Sequence, residues 1–99
     1  MKFIDVKKMD VLHRISLPKA ALEAVGAKKG EYIGIKFCPG YIRLTTDDSC
    51  PYKIRIDELG RIHINKTFCI ATFAEEPKEI SVFVYKNDII LGMYENLAA

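Results

Sequence analysis

No apolar run in this chain approaches the ~20 residues that a membrane-crossing helix needs. The opening stretch MKFIDVKK holds no apolar segment of signal-peptide length, so a cytoplasmic location and no membrane partner are expected. Cysteine is sparse. Cys38, Cys50 and Cys69 stand apart without a CxxC pair, which argues against a zinc knuckle or a dithiol redox motif and leaves reduced thiols as the expectation. Catalytic signatures are missing as well: there is no GxSxG, no HExxH and no glycine-rich phosphate loop. Gly26 and Gly30 read instead as a helix stop and a turn. Neither an enzyme, a cofactor, a metal site nor a small-molecule substrate is expected. A large excess of one charge is also absent, the formal net charge being +2.

What is present suits one modest globular domain. The chain has 99 residues, 49% of them hydrophobic, with five Phe and five Tyr. The charge is unevenly spread: residues 1–49 carry nine Lys/Arg against six Asp/Glu, whereas residues 50–99 carry six against seven. The first half is therefore the better candidate for meeting a polyanion.

The chain also repeats itself. MDVLHRISLPK (9–19) and IDELGRIHINK (56–66) lie 47 positions apart, and the two halves align at that spacing without a gap. Between residues 10–44 and 57–91, ten of 35 positions are identical, among them Asp10/Asp57, Arg14/Arg61, Ile15/Ile62, Lys19/Lys66 and Leu44/Leu91. Chance would give roughly two at ordinary residue usage. The repeats run over 3–46 and 52–95, joined by a short polar linker at 47–51, all within one domain spanning 1–99.

Each repeat reads alike. A strand (3–9; 53–56) leads through a tight turn into a second strand of period-two alternation. There Ile15 and Leu17, or Ile62 and Ile64, point to the core, with Arg14 and Ser16, or Arg61 and His63, on the other face. A short helix comes next. Pro18 suits its first position in one copy and Asn65 its N-cap in the other, and Gly26 is a left-handed stop. A hairpin closes each repeat, over 31–37 with 41–45 and over 78–85 with 88–92. Neither repeat can bury its apolar faces alone, so the second supplies the other half of one shared core.

The run Asp57-Glu58-Leu59-Gly60-Arg61, with its alternating strand, short helix and terminal IILGMY strand, resembles the AbrB/SpoVT family of swapped-hairpin domains. RISLPKAALEAVGAKKGEYIGI in the first copy is similar to that family's strand–proline–helix–glycine run. The resemblance covers residues 3–95, and the tandem arrangement is similar to that of MraZ proteins. It implies a mainly β fold with short helices: a swapped-hairpin (double-split) β-barrel formed as a single-chain pseudo-dimer. It also implies a DNA-binding transcription regulator whose partner is double-stranded DNA. Carried over by position, the DNA-binding set is Arg14 and Arg61, with Lys7, Lys8, Lys53 and Arg55 on the first strands and Lys19 and Lys66 at the helix starts. Lys and Arg neutralise phosphates there, and Arg also reaches base edges.

Two features temper that expectation. Asp10/Arg14 and Asp57/Arg61 have the spacing of an ion pair within a turn. The helices carry Ala20-Ala21-Leu22-Glu23 and Thr67-Phe68-Cys69-Ile70, where DNA-binding relatives often place basic residues. The alternative is a protein-interaction or self-association module, with Phe68, Ile70 and Phe73 packing on another chain. An antitoxin-like protein is a third expectation. His13 and His63 are expected to be plain surface histidines.

Overall fold

Alternating apolar residues, punctuated by Pro and Gly, produce a mainly β molecule. In a computed structural model describing residues 1–97, the elements run β1 (Lys2–Lys8), β2 (Arg14–Ser16), α1 (Lys19–Val25), β3 (Tyr32–Cys38), β4 (Tyr41–Thr45), β5 (Lys53–Arg55), β6 (Arg61–His63), α2 (Lys66–Phe73), β7 (Glu79–Tyr85), β8 (Asp88–Gly92) and α3 (Tyr94–Leu97). Eight strands form two antiparallel sheets, a six-stranded one in the order β1-β7-β8-β4-β3-β5 and a two-stranded ribbon of β2 and β6. No helix among the described residues is long and apolar enough to cross a membrane.

Four of the six strand pairings cross between repeats, and the β3–β4 and β7–β8 hairpins stay within one. β1 pairs with β7 of the second repeat, and β5 pairs with β3 of the first. β4 pairs with β8, placing Ile42 opposite Leu91 and Leu44 opposite Ile89. In the ribbon, Ile15 faces Ile62, with Arg14 opposite His63 and Ser16 opposite Arg61. This set of pairings maps onto itself when the two repeats are exchanged. Backbone bonds outside the strands obey the same exchange: Leu17 N–H donates to the Gly60 carbonyl at 2.8 Å, and Ile64 N–H to the His13 carbonyl at 2.9 Å.

The core lies between the inner face of the large sheet, the ribbon and the two longer helices. Ile15, Ile42, Leu44, Ile56, Ile80, Val82, Ile89 and Leu91 are fully buried, and Ile62 and Ile64 very nearly so. α1 packs on β7 and β8, while α2 packs on β3 and β4. No buried side-chain nitrogen or oxygen lacks a hydrogen-bond partner among the described residues.

Several expectations need correction. The expected barrel does not close: the large sheet is open, with β1 and β5 at its edges, and the ribbon is a separate sheet. β5 has only three residues, too few to continue the ladder around. Pro18 stands one place earlier than expected, as the N-cap with an extended ψ of 141°, so Lys19 is the first helical residue. β1 begins and ends one residue earlier than read from the pattern, and β5 stops at Arg55. The helix α3 lies outside the elements expected from the pattern.

Candidate nucleic-acid interface

Burial decides which side of the ribbon is available. Ile15 and Ile62 turn inward, so their neighbours Arg14, Ser16, Arg61 and His63 share the outward face. Arg14 and Arg61 are diagonal neighbours across the two-stranded ladder, a relation that sets backbones ~7–8 Å apart. One face of three-residue strands thus presents two guanidinium groups, an imidazole and a hydroxyl.

The two arginines are held in the same way. In the first turn the Asp10 carboxylate accepts from the backbone N–H groups of Leu12 and Arg14, each at 2.9 Å, and from Arg14 Nε at 2.7 Å. In the second, Asp57 accepts from Leu59 at 2.9 Å, Arg61 N–H at 2.8 Å and Arg61 Nε at 2.8 Å. The Arg14 backbone N–H, and after it the Arg14 side chain, hold the Asp10 carboxyl below the usual aspartate range. Arg61 does the same for Asp57. The intra-turn ion pair is therefore real, and it engages Nε. The terminal guanidinium nitrogens make no hydrogen bond among the described residues and remain available to an outside acceptor. Both side chains stay about a third exposed, at 32% and 28%.

The turns differ at two positions, Val11/Glu58 and His13/Gly60. His13 (φ 60°) and Gly60 (φ 79°) occupy equivalent left-handed positions. Lys29 lies beside Gly60, its Cε 3.3 Å from where a Cβ on that glycine would stand. At the matching place beside His13 is Glu76, bonded to Lys66 at 2.8 Å. Lys66, and more weakly His13, keep the Glu76 carboxyl below its ordinary range.

Of the remaining expected contacts, Lys66 is paired with Glu76 as just described. Lys7 lies 3.7 Å from Asp5, Lys19 3.8 Å from Glu23, and Lys53 3.7 Å from Asp48, while Arg55 pairs with Glu58. Lys8 has no ion pair among the described residues. These partners are exposed carboxylates at surface positions, where pairing is weak and a phosphate can displace it. Lys53 and Arg55 do not join the ribbon. They sit on the edge strand of the large sheet, opposite Gly34 and Tyr32. Lys29, beside Gly60, stands in the sequence as one of the Lys28-Lys29 pair after the first helix, a pair more often solvated than in contact. Its one signal is its place 31 residues before Gly60, which acquires meaning once the repeats interleave.

No group of three or more His, Cys, Asp or Glu residues able to hold a metal occurs among the described residues. The cysteines are free, and burial pushes the Cys69 thiol up. Comparison with protein-family models, with curated proteins and with solved structures found no match.

Proposed function

We propose that this protein is an AbrB-like DNA-binding regulator, a single-chain pseudo-dimer whose hairpins are exchanged between repeats. The observation that carries the reading is the ribbon face. Two arginines related by the internal symmetry are fixed by their turn carboxylates through Nε, with the terminal nitrogens of each guanidinium unbonded among the described residues. Such a pair suits two acceptors on a duplex related by its own twofold symmetry, chiefly phosphate oxygens, with base edges reached by the outer nitrogens. The interleaved pairing supports the swapped arrangement, since each repeat's first strand is completed only by the other repeat.

The test is duplex binding by Arg14→Ala, Arg61→Ala and the double variant, with melting temperature as the control for folding. On this reading each single variant loses affinity and the double loses more, all at unchanged cooperativity of unfolding. Parent-like affinity in the double variant would remove the ribbon from the interface.

A second reading rests on a different observation. Phe68 and Ile70 on α2 stay 51% and 43% exposed, on a helix without a basic residue after Lys66. That surface suits a protein contact, and light scattering of the purified chain distinguishes a monomer from an assembly.

A further inference from the structure

The exchange symmetry of the strands is not matched by the side chains on the outer face of the large sheet. In the second repeat's half of the large sheet, the outer face is filled by aromatic rings. Phe3 meets Phe83 at a ring separation of 5.5 Å and Tyr94 at 5.2 Å, and Phe83 lies 5.9 Å from Tyr94. Phe3 arrives there as part of β1, which pairs along β7 as far as Lys2 opposite Val84. Shifting each position by 47 gives the corresponding residues of the other half: Cys50 for Phe3, Lys36 for Phe83 and Asp47 for Tyr94. None is aromatic, and the place is a groove of about 900 Å³ lined by Lys36, Phe37, Asp47, Cys50, Tyr52 and Phe68 among others.

The cause is the tandem connection itself. Residue 50 is at once the counterpart of Phe3, at the start of a repeat, and of Leu97, at the end of one. It can fill only one role. Leu97 covers Gly92 on the outer face, where a Cβ would lie 2.6 Å from its Cδ1. Cys50 covers Gly34, the cross-strand partner of Thr45, which is itself the counterpart of Gly92; a Cβ on Gly34 would lie 2.7 Å from that of Cys50. Cys50 therefore takes the place of Leu97. Pro51, which has no N–H to give a ladder, comes immediately after it. The β3–β5 ladder ends at Gly34 opposite Lys53, with one further bond from Ile35 N–H to the Tyr52 carbonyl at 2.9 Å. Beyond it the edge of β3 at Lys36 and Phe37 lacks the segment that Lys2 and Phe3 supply to β7. Exposed aromatic surface rims this gap: Phe37 stacks on Phe68 at 4.8 Å, and Tyr52 is 74% exposed. Lys36, on its floor, has no ion pair among the described residues.

We infer that this groove is a docking site for an extended peptide segment of a partner protein. The segment adds antiparallel to the free edge of β3 and lays an aromatic side chain over Lys36, as Phe3 lies on Phe83 in the other half. The molecule supplies the template for its own missing piece. Main-chain bonds to an exposed strand edge give register, and the aromatic residue gives selectivity. Lys36 in place of Phe83 favours the face of an aromatic ring through its cationic head. Peptide docking here does not depend on DNA binding, because the groove lies on the large sheet and the arginine face on the separate ribbon.

The test uses the intact protein, labelled with ¹⁵N, and a synthetic peptide copying residues 1–6 (MKFIDV). Saturable amide shifts are expected at Lys36, Phe37 and Tyr52, with an affinity about tenfold weaker when the peptide's Phe is replaced by Ala. Absence of shifts at these amides overturns the inference, as does equal binding of the Ala peptide. Shifts confined to β7 and Tyr94, which would mark displacement of the protein's own β1, overturn it too. A dimeric mass by light scattering with the same amides protected would make a second copy the occupant and overturn the assignment to a partner.

Discussion

Asp10 and Asp57 show how one residue type in one turn sets up the site. Each carboxylate closes its turn through two backbone N–H groups and orients an arginine through Nε. Because the bonds favour the ionised form, both aspartates titrate below the ordinary value of ~3.9. Their contribution to stability is complete above that value and is lost as pH falls through the lower, folded-state values. Replacing both by Asn should lower the melting temperature at neutral pH and flatten the decline of stability as pH falls below ~4; thermal melts at neutral and acid pH check it. Gly60 illustrates a second residue-scale effect. Its φ of 79° is one that side chains rarely adopt, while the nearest atom to an added Cβ is the flexible end of Lys29 at 3.3 Å. Gly60→Ala should therefore cost ~1–2 kcal/mol from backbone strain alone, measurable by urea unfolding. The D-x-x-x-R spacing is visible in the sequence. That Nε alone is taken is not, because spacing fixes proximity and leaves the choice of nitrogen to side-chain geometry.

Helix ends are the most legible elements. Asn65 caps α2 through Oδ1, which accepts from Thr67 N–H at 2.7 Å, and Gly26 ends α1 in the left-handed region at φ 71°. Gly26 N–H reaches the Glu23 carbonyl at 3.3 Å and Ala27 N–H the Leu22 carbonyl at 3.0 Å, the bond pattern of a glycine stop. Asn65→Ala should destabilise by about 1 kcal/mol, a Thr67 N–H losing its acceptor; a shift in denaturation midpoint at constant slope would show it. Pro18 stands one residue from its expected place because a fixed φ suits both the N-cap and the first helical position, and only ψ separates them. The second copy has no glycine stop, yet Ala74 takes the same left-handed conformation at φ 63°. There the Ala74 N–H closes on the Ile70 carbonyl at 2.8 Å, so an alanine takes a conformation that local preference assigns to glycine. α3 is illegible for a related reason: four residues are too few for helical periodicity.

Strand positions follow from alternation, but partners do not, since a 47-residue period fits pairing within repeats as well as between them. Pairing between repeats makes folding a property of the whole chain. A fragment of residues 1–47 leaves β1 and β3 without β7 and β5, and should be unstructured by circular dichroism, regaining strand signal on mixing with 48–99. At the centre, Ile15 and Ile62 face each other at 0% and 1% exposure. Truncating either to Ala should cost ~2–5 kcal/mol, read from chemical denaturation. Barrel closure is expected from resemblance rather than from residues, and the three-residue β5 leaves the sheet open. The central claim, that the outward arginine face meets duplex DNA, is tested most directly by fluorescence anisotropy of a mixed-sequence duplex of about 30 base pairs across a salt series. The predicted result is binding whose log K falls linearly with log salt by roughly 0.9 for each displaced phosphate, with a smaller slope when Arg14 and Arg61 are both Ala. No binding at the lowest salt, or a slope indifferent to the two arginines, would contradict it.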